Sequence, residues 1–441
     1  MSTARYSVGI DLGTTHSVVS YVPLSETDGE QVPVSVLDIP QLTGPGLIGQ
    51  KPQLPSFLYQ AHAAELAPGD RVLPWDANPR DLVGELARQL GSKSPIRLVA
   101  SAKSWLSHAG VDRRAAFLPL QAPDEVPRVS PLDASIAYLR HLRDSWNDRF
   151  PDAPLAEQDL VITVPASFDP AARELTVEAA QAVGLRQAVL LEEPQSALYS
   201  WIQSSHGGWR DQVRPGEVIL VVDVGGGTTD LSLIAVTEDD GQLTLNRVAI
   251  GDHILLGGDN MDLALAYVLR AKLQAEGKRL ETWQVQALTH ACRDAKEALL
   301  SEEGLEEVAI VVPSRGSSLI GGVLRTRLTR DEVQRTLVDG FFPPVELSER
   351  PAGAVRTGLT ALGLPYAQDA RITAHLAAFL SRQRGATGDL SGFGAGSGGR
   401  FLHPSAVLLN GGVFKSGVLS RRLLEVPVSY THLRAHETRE D

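Results

Sequence analysis

Val221-Val222-Asp223-Val224-Gly225-Gly226-Gly227-Thr228-Thr229-Asp230 is the stretch on which the reading of this chain turns. An apolar β-type run leads to an Asp, then glycines, then paired threonines. A second apolar run, Leu231 to Val236, follows. That order predicts a β-hairpin with a glycine turn. The same design stands near the N-terminus as Val8-Gly9-Ile10-Asp11-Leu12-Gly13-Thr14-Thr15, continuing into Ser17 to Val22. Repetition of this kind marks a duplicated unit and predicts two similar lobes facing each other. Glycines let backbone N–H groups approach and point at an anion, and Thr hydroxyls add donors. An Asp at the strand end repels a phosphate and is suited instead to Mg²⁺ or its waters. One glycine turn is usually only a turn; two matched ones point to a nucleotide clamp.

Bulk properties bound the rest. A length of 441 residues predicts two or more domains, each able to bury a core. A hydrophobic fraction of 43% and a charged fraction of 21% are ordinary for a globular protein. The net charge of −12 argues against a nucleic-acid surface and is read as a solubility feature. The single cysteine, Cys292, excludes a disulfide within the chain and suits a reducing compartment. Its place in a helical pattern makes it a small buried hydrophobe. The N-terminus has no apolar core of signal-peptide length, and no run of 18 apolar residues occurs. The expectation is a cytoplasmic protein with no membrane or nucleic-acid partner.

Strands and helices alternate along the chain, the signature of an α/β fold. Residues 131–147 carry helical periodicity, and Asp159 to Pro165 reads as a buried strand. Asp169 caps a helix opened by Pro170 and stopped by Gly184. Leu190-Leu191 ends a short strand, and Glu192-Glu193-Pro194 leads into a helix through Trp201. Leu243 to Ile250 is a strand, Gly257-Gly258-Asp259 opens a helix, and 281–301 form another. Thr329 to Glu332 is a capping box, and Ala406 to Asn410 is a strand before Gly411-Gly412, with Ser416 capping a last helix. Residues 31–100 read as irregular, and the glycine-rich 385–400 as a flexible loop. The polar stretch 205–216 sets the expected boundary between a first lobe, 1–212, and a second, 213–426. Residues 427–441 have no apolar periodicity and are expected to be a disordered, non-native tail similar to adapter read-through, on a chain truncated at its C-terminus.

Taken together, these motifs resemble one family: the DnaK-like, 70-kDa heat-shock (Hsp70) chaperones of the actin/sugar-kinase superfamily. The resemblance rests on GIDLGTT at 9–15, VITVPASFDPAAR at 161–173, EEPQSAL at 192–198, VVDVGGGTTD at 221–230, LLGGDNMD at 255–262 and VLLNGGV at 407–413, in the family's order. It implies a two-lobed, actin-like ATPase of ribonuclease H-like repeats, with ATP in the cleft between lobes. It implies ATP/ADP, Mg²⁺ and K⁺ as ligands, with Asp11 and Asp223 on the metal. Gly13, Thr14, Thr15, Gly225, Gly226, Gly227 and Thr228 would surround the phosphates, and Gly257 and Gly258 would form a phosphate-side turn. Lys103 matches the lysine that positions the attacking water, and Glu193 the glutamate that orients water or magnesium; Asp11, Asp223 and Thr228 complete the catalytic set. Gly411, Gly412 and Lys415 match the adenosine loop, and Lys296 a ribose contact. Pro165 and Arg173 match interlobe relay positions.

Without the resemblance the same residues have plainer readings. Lys103 is then a surface lysine at a helix start, Glu193-Pro194 a loop-to-helix entry, Pro165 a strand end and Arg173 an exposed helix arginine. Four positions depart from the family pattern: His16 for Asn or Tyr, Arg293 for Glu, Leu300 for Ser, and Lys415 for an Arg that stacks on adenine. Lys lacks that planar surface. The resemblance further implies peptide clients bound by a C-terminal domain absent here, a J-domain co-chaperone and a nucleotide-exchange factor. A small-molecule kinase, an ATP-dependent polymer former and a non-hydrolysing ATP-binding scaffold are the alternatives on the same fold.

Overall fold

The computed structural model describes residues 4–26, 32–120, 122–301, 304–313, 323–352, 364, 366–387, 393, 402–430 and 434–437, with backbone alone at 427–430 and 434–437. The chain divides into two compact units, Met1–Glu193 and Pro194–Asp441.

The first unit is built on a six-stranded sheet. Its order is Val189–Glu192, Asp159–Val164, Tyr6–Leu12, His16–Pro23 and Ser35–Val36, with Leu54–Pro55 also pairing to His16–Pro23. Tyr6–Leu12 and His16–Pro23 form the expected hairpin, closing with Leu12 opposite Ser17. Asp159–Val164 runs parallel to the hairpin's first strand and sets Thr163 beside Asp11. The helices of this unit are α1 (Glu85–Lys93), α2 (Ala102–Ser107), α3 (Pro131–Arg149) and α4 (Pro170–Ala182). The start of α3 is a capping box between Ser130 and Asp133, with Pro131 at the first helical position. It buries Leu139, Leu142 and Trp146, one stripe at helical spacing. The stretch 31–100, expected to be irregular, carries α1, several short strands and its own core of Leu42, Phe57, Tyr59, Leu73, Leu82, Leu86 and Leu98. Its strands are two to six residues long, too short for a period-2 pattern to stand out.

The second unit repeats the plan. Its five-stranded sheet has the order Gln242–Ile250, Thr229–Asp239, Val218–Val224, Ala406–Asn410 and Arg434–Glu437. In each unit the first strand of the hairpin stands between two antiparallel pairings on one side and two parallel ones on the other. The sequence repeat is therefore a repeat of topology.

Strand period 2 sorts the central strand Val218–Val224 onto two faces. Val218, Leu220, Val222 and Val224 join one core with α7 (Gly258–Ala275) and α8 (Thr282–Ser301). Ile219 and Val221 join another with α5 (Glu193–Ser204) and α6 (Trp209–Gln212), through Ala197, Leu198, Trp201 and Trp209. Every residue of the strand is buried, as a sheet covered on both faces requires. Although 205–216 is polar, the apolar face of α5 belongs to the second sheet, so the units divide at Glu193/Pro194.

Leu419, Leu423 and Val426 form a buried i, i+4, i+7 stripe, and the helix carrying them runs from Gly417 to Tyr430. The backbone of Arg434–Glu437 then lies parallel to Ala406–Asn410 as the fifth strand. Most of the glycine-rich 385–400 lies outside the described residues.

Candidate functional site

In the first unit the turn Gly13–Thr15 follows directly from the strand that ends in Asp11 and Leu12. A side chain at Gly13 would meet the His16 carbonyl oxygen at 2.2 Å, so the turn is as tight as the glycine suggests. Ser56 holds it from outside: its hydroxyl donates to the Gly13 carbonyl at 2.9 Å and its N–H to the Thr15 carbonyl at 2.8 Å. Ser56 and Ser17 place their hydroxyls 3.0 Å apart in a buried pair. Asp11 is exposed and accepts from the Thr163 hydroxyl at 2.9 Å. Thr14 and Thr15 are half-buried.

Lys103 and Glu193, nominated from motifs far apart in the chain, touch each other. Lys103 Nζ donates to Glu193 Oε1 at 2.6 Å, with only 13% and 16% of the two side chains exposed. The surface-lysine reading of Lys103 is thereby set aside. Lys103 Nζ also lies 6.0 Å from the centre of the Phe168 ring. Two further pairs brace this corner. Arg173 donates to Glu192 Oε1 at 2.7 Å. Arg113 holds Asp169 at 2.8 and 2.6 Å through two nitrogens and reaches back to the carbonyls of Ser107 and His108, where α2 ends. Asp169 is also the N-cap of α4. One carboxylate thus fixes the start of α4 and, through Arg113, the end of the helix bearing Lys103.

In the second unit Asp223 is buried and accepts from the Asn410 side-chain amide at 2.7 Å, the two lying in register on parallel strands. Gly225 and Thr228 close the turn, the Gly225 N–H donating to the Thr228 carbonyl at 2.9 Å. Two distant segments press on this turn by backbone alone. A side chain at Gly257 would lie 2.5 Å from the Gly225 carbonyl oxygen. One at Gly411 would lie 2.3 Å from the Val224 oxygen and 2.6 Å from the Asp223 carboxylate, and Gly411 has φ +95°. Gly258 and Asp259, opening α7, donate their N–H groups to the carbonyls of Gly225 and Gly226 at 3.0 and 2.7 Å. Thr229 braces the far side, its hydroxyl donating to the Leu256 carbonyl at 2.7 Å. The N–H groups of Gly226, Gly227 and Thr228 donate to no acceptor among the described residues.

At the positions matched to adenosine contacts, Lys296 pairs with Asp262 at 2.7 Å, and Arg293 pairs with Asp259 and Asp262 at 2.6 and 2.7 Å. All four are buried. Burial pushes the Asp262 carboxyl up, but Lys296 and Arg293 outweigh it and hold it below the usual carboxylate range. Lys415 and Gly412 are exposed. Asp11 and Asp223 each place one carboxylate at a strand end, a group whose chemistry suits Mg²⁺ taken up largely through water. No group of three His, Cys, Asp or Glu placed to hold a metal occurs among the described residues. Of the site residues, the sequence alone did not single out Ser56, Thr163, Arg113, Asn410 or Asp262. Asn410 carried the clearest signal, as the last strand residue before Gly411-Gly412.

The sequence model of the Hsp70 protein family matches residues 77–347. The chain belongs to the Hsp70 family. Its fold is the family's actin-like ATPase fold. Among relatives, a chaperone protein HscA homolog of Paracidovorax citrulli is 30% identical over 375 residues, covering 80% of this chain and 49% of that protein. HscA homologs of Methylibium petroleiphilum and Bordetella pertussis are 32% and 29% identical over 355 and 359 residues. The chain spans about half the length of these Hsp70-family relatives. Among the described residues no helix is long and apolar enough to cross a membrane.

Proposed function

We propose that this chain binds MgATP at its two glycine turns and hydrolyses it to ADP and phosphate. The observation that supports this reading most directly is the turn at Gly225–Thr228. Two remote backbones approach it so closely that only glycine fits at Gly257 and Gly411, while three of its own N–H groups find no acceptor among the described residues. Backbone N–H groups held open in a turn are an anion cradle. Half-buried donors of this kind are otherwise paired.

Chemistry follows from the residues around the turns. Water attacks the γ-phosphorus, the bond to the β–γ bridging oxygen breaks, and ADP leaves with that oxygen's electrons. Lys103, fixed by Glu193, orients the water and offsets charge that grows on the phosphoryl oxygens. Thr15 and Thr228 add hydroxyl donors. Mg²⁺, with K⁺ alongside, would neutralise phosphate charge through waters held by Asp11 and Asp223. Arg293 and Lys296, both engaged with Asp262, act from behind α7 in this scheme. In the whole protein, nucleotide state would govern affinity for peptide clients, with a J-domain co-chaperone and an exchange factor acting on the cycle. Relatives named as chaperones support that role.

The test uses the 441-residue chain. At 100 times its Kd, MgATP should raise the unfolding free energy by about 2.7 kcal/mol, and phosphate should appear in solution without an acceptor. No thermal shift together with no phosphate release sinks the proposal. Transfer of phosphate to a sugar with little hydrolysis would establish the kinase alternative, and ATP-dependent pelleting the polymer alternative.

A further inference from the structure

We propose that Arg293 is a positioning residue for the phosphate turn, acting through Asp259 to aim the N–H groups of Gly226 and Gly227. The inference rests on reading Gly225–Thr228 as a phosphate site. It begins with the peptide unit. A trans peptide is planar, so its C=O and N–H point in opposite directions. The Gly225 carbonyl is held by the Gly258 N–H and the Gly226 carbonyl by the Asp259 N–H. Pinning these two oxygens toward α7 therefore turns the N–H groups of Gly226 and Gly227 away from α7, the two donors that receive nothing from the described residues.

The first turn of α7 must itself stay still, and that is what the ionic network does. Arg293 reaches from α8 with one nitrogen on Asp259 and another on Asp262, at 2.6 and 2.7 Å. Lys296, one helical turn further on, pairs with the second carboxylate oxygen of Asp262 at 2.7 Å and donates to the Gly258 carbonyl at 3.4 Å. Two carboxylates and two cations thus close a buried neutral group against the helix start. Asp259 links the two: its N–H holds the turn, and its carboxylate is held by Arg293. A planar guanidinium can span both carboxylates at once, which a lysine ammonium at the same place cannot. Removing Arg293 leaves buried negative charge uncompensated beside the turn.

The experiment compares wild type, Arg293→Met, Arg293→Lys and Asp259→Asn by titration with MgATP and, separately, with adenosine. Arg293→Met and Asp259→Asn should each weaken MgATP at least tenfold while moving adenosine less than twofold. Arg293→Lys should recover part of the loss. The double variant Arg293→Met with Asp259→Asn should be no weaker than the worse single, because both cut one tether. Parallel losses for MgATP and adenosine overturn the proposal, since they mean a nucleoside contact or a general loss of structure. Unchanged MgATP binding in the folded variants also overturns it. If Arg293→Met does not fold, Asp259→Asn carries the same comparison, because Arg293 keeps Asp262 as a partner in that variant. Wild type that binds no MgATP refutes the nucleotide reading itself, an outcome distinct from wild type that binds and variants that bind alike.

Discussion

Gly411 and Gly412 are neighbours with opposite requirements. A Cβ on Gly411 meets the Val224 oxygen at 2.3 Å from a left-handed backbone, whereas nothing lies within 4 Å of one on Gly412. Gly411→Ala is expected to cost about 2 kcal/mol or more and Gly412→Ala almost nothing, read as a difference in denaturant midpoint. Equal midpoints would contradict the close packing of Gly411 on Asp223. For Lys103 and Thr228, the proposed chemistry predicts that Lys103→Ala and Thr228→Ala each lower ATP turnover about a hundredfold or more, with circular dichroism unchanged. Wild-type turnover in both would reject their catalytic assignment. At this scale the sequence was legible wherever a motif fixes backbone shape. Lys103 and Glu193 could be nominated, but their 2.6 Å contact could not, because it depends on how α2 and the start of α5 meet.

Helix ends give the clearest element-scale contrast. Ser130 caps α3 with a capping box, while Asp169 caps α4 and also holds the buried Arg113. Ser130→Ala is expected to cost about 1 kcal/mol. Asp169→Ala should cost more, about 2 kcal/mol, since the cap is lost and Arg113 loses its partner, a loss moderated by water because 41% of the Asp169 side chain is exposed. Urea denaturation of the two variants ranks them, and the reverse order would show that Arg113 does not depend on Asp169. The Asp169 cap was legible from the Asp and the proline after it. The second task of Asp169 was not, since Arg113 lies 56 residues away. The short strands within 31–100 were missed for the reason their length gives: two residues show no alternation.

Across the whole molecule, mild acid should act strongly through the buried His141. Burial drives its imidazole down from 6.5 to about 4, against a smaller upward pull from its hydrogen bond to the Pro40 carbonyl at 2.9 Å. A depressed folded pKa means the unfolded chain takes up the proton first. Stability tied to His141 is therefore full above pH 6.5 and is lost as pH falls from there toward 4, by about 3 kcal/mol. Asp369, held at about 2 by Arg371 against the upward push of burial, begins to lose its contribution only below about pH 4. A His141→Gln variant should flatten the stability profile between pH 4 and 6.5; an unchanged slope there would remove His141 as its cause. The duplication was legible at this scale because Asp-Gly-Thr turns recur. The division of the units was not, because a polar stretch at 205–216 marks surface, not allegiance: Trp201 and Trp209 pack on the second sheet from either side of its start.

The amino-acid order by itself determined the twin hairpins, the central strands, the principal helices and their caps, and membership of a chaperone family. These depend on neighbours in the chain: alternation of side chains, turn glycines and capping oxygens act over a few residues. Tertiary structure alone decided which charges meet. Lys103 with Glu193, Arg113 with Asp169, and Arg293 with Asp259 and Asp262 are joined across 31 to 90 positions. No local rule specifies such partners; burial does, because a charge taken out of water must find its opposite wherever the folded backbone brings one.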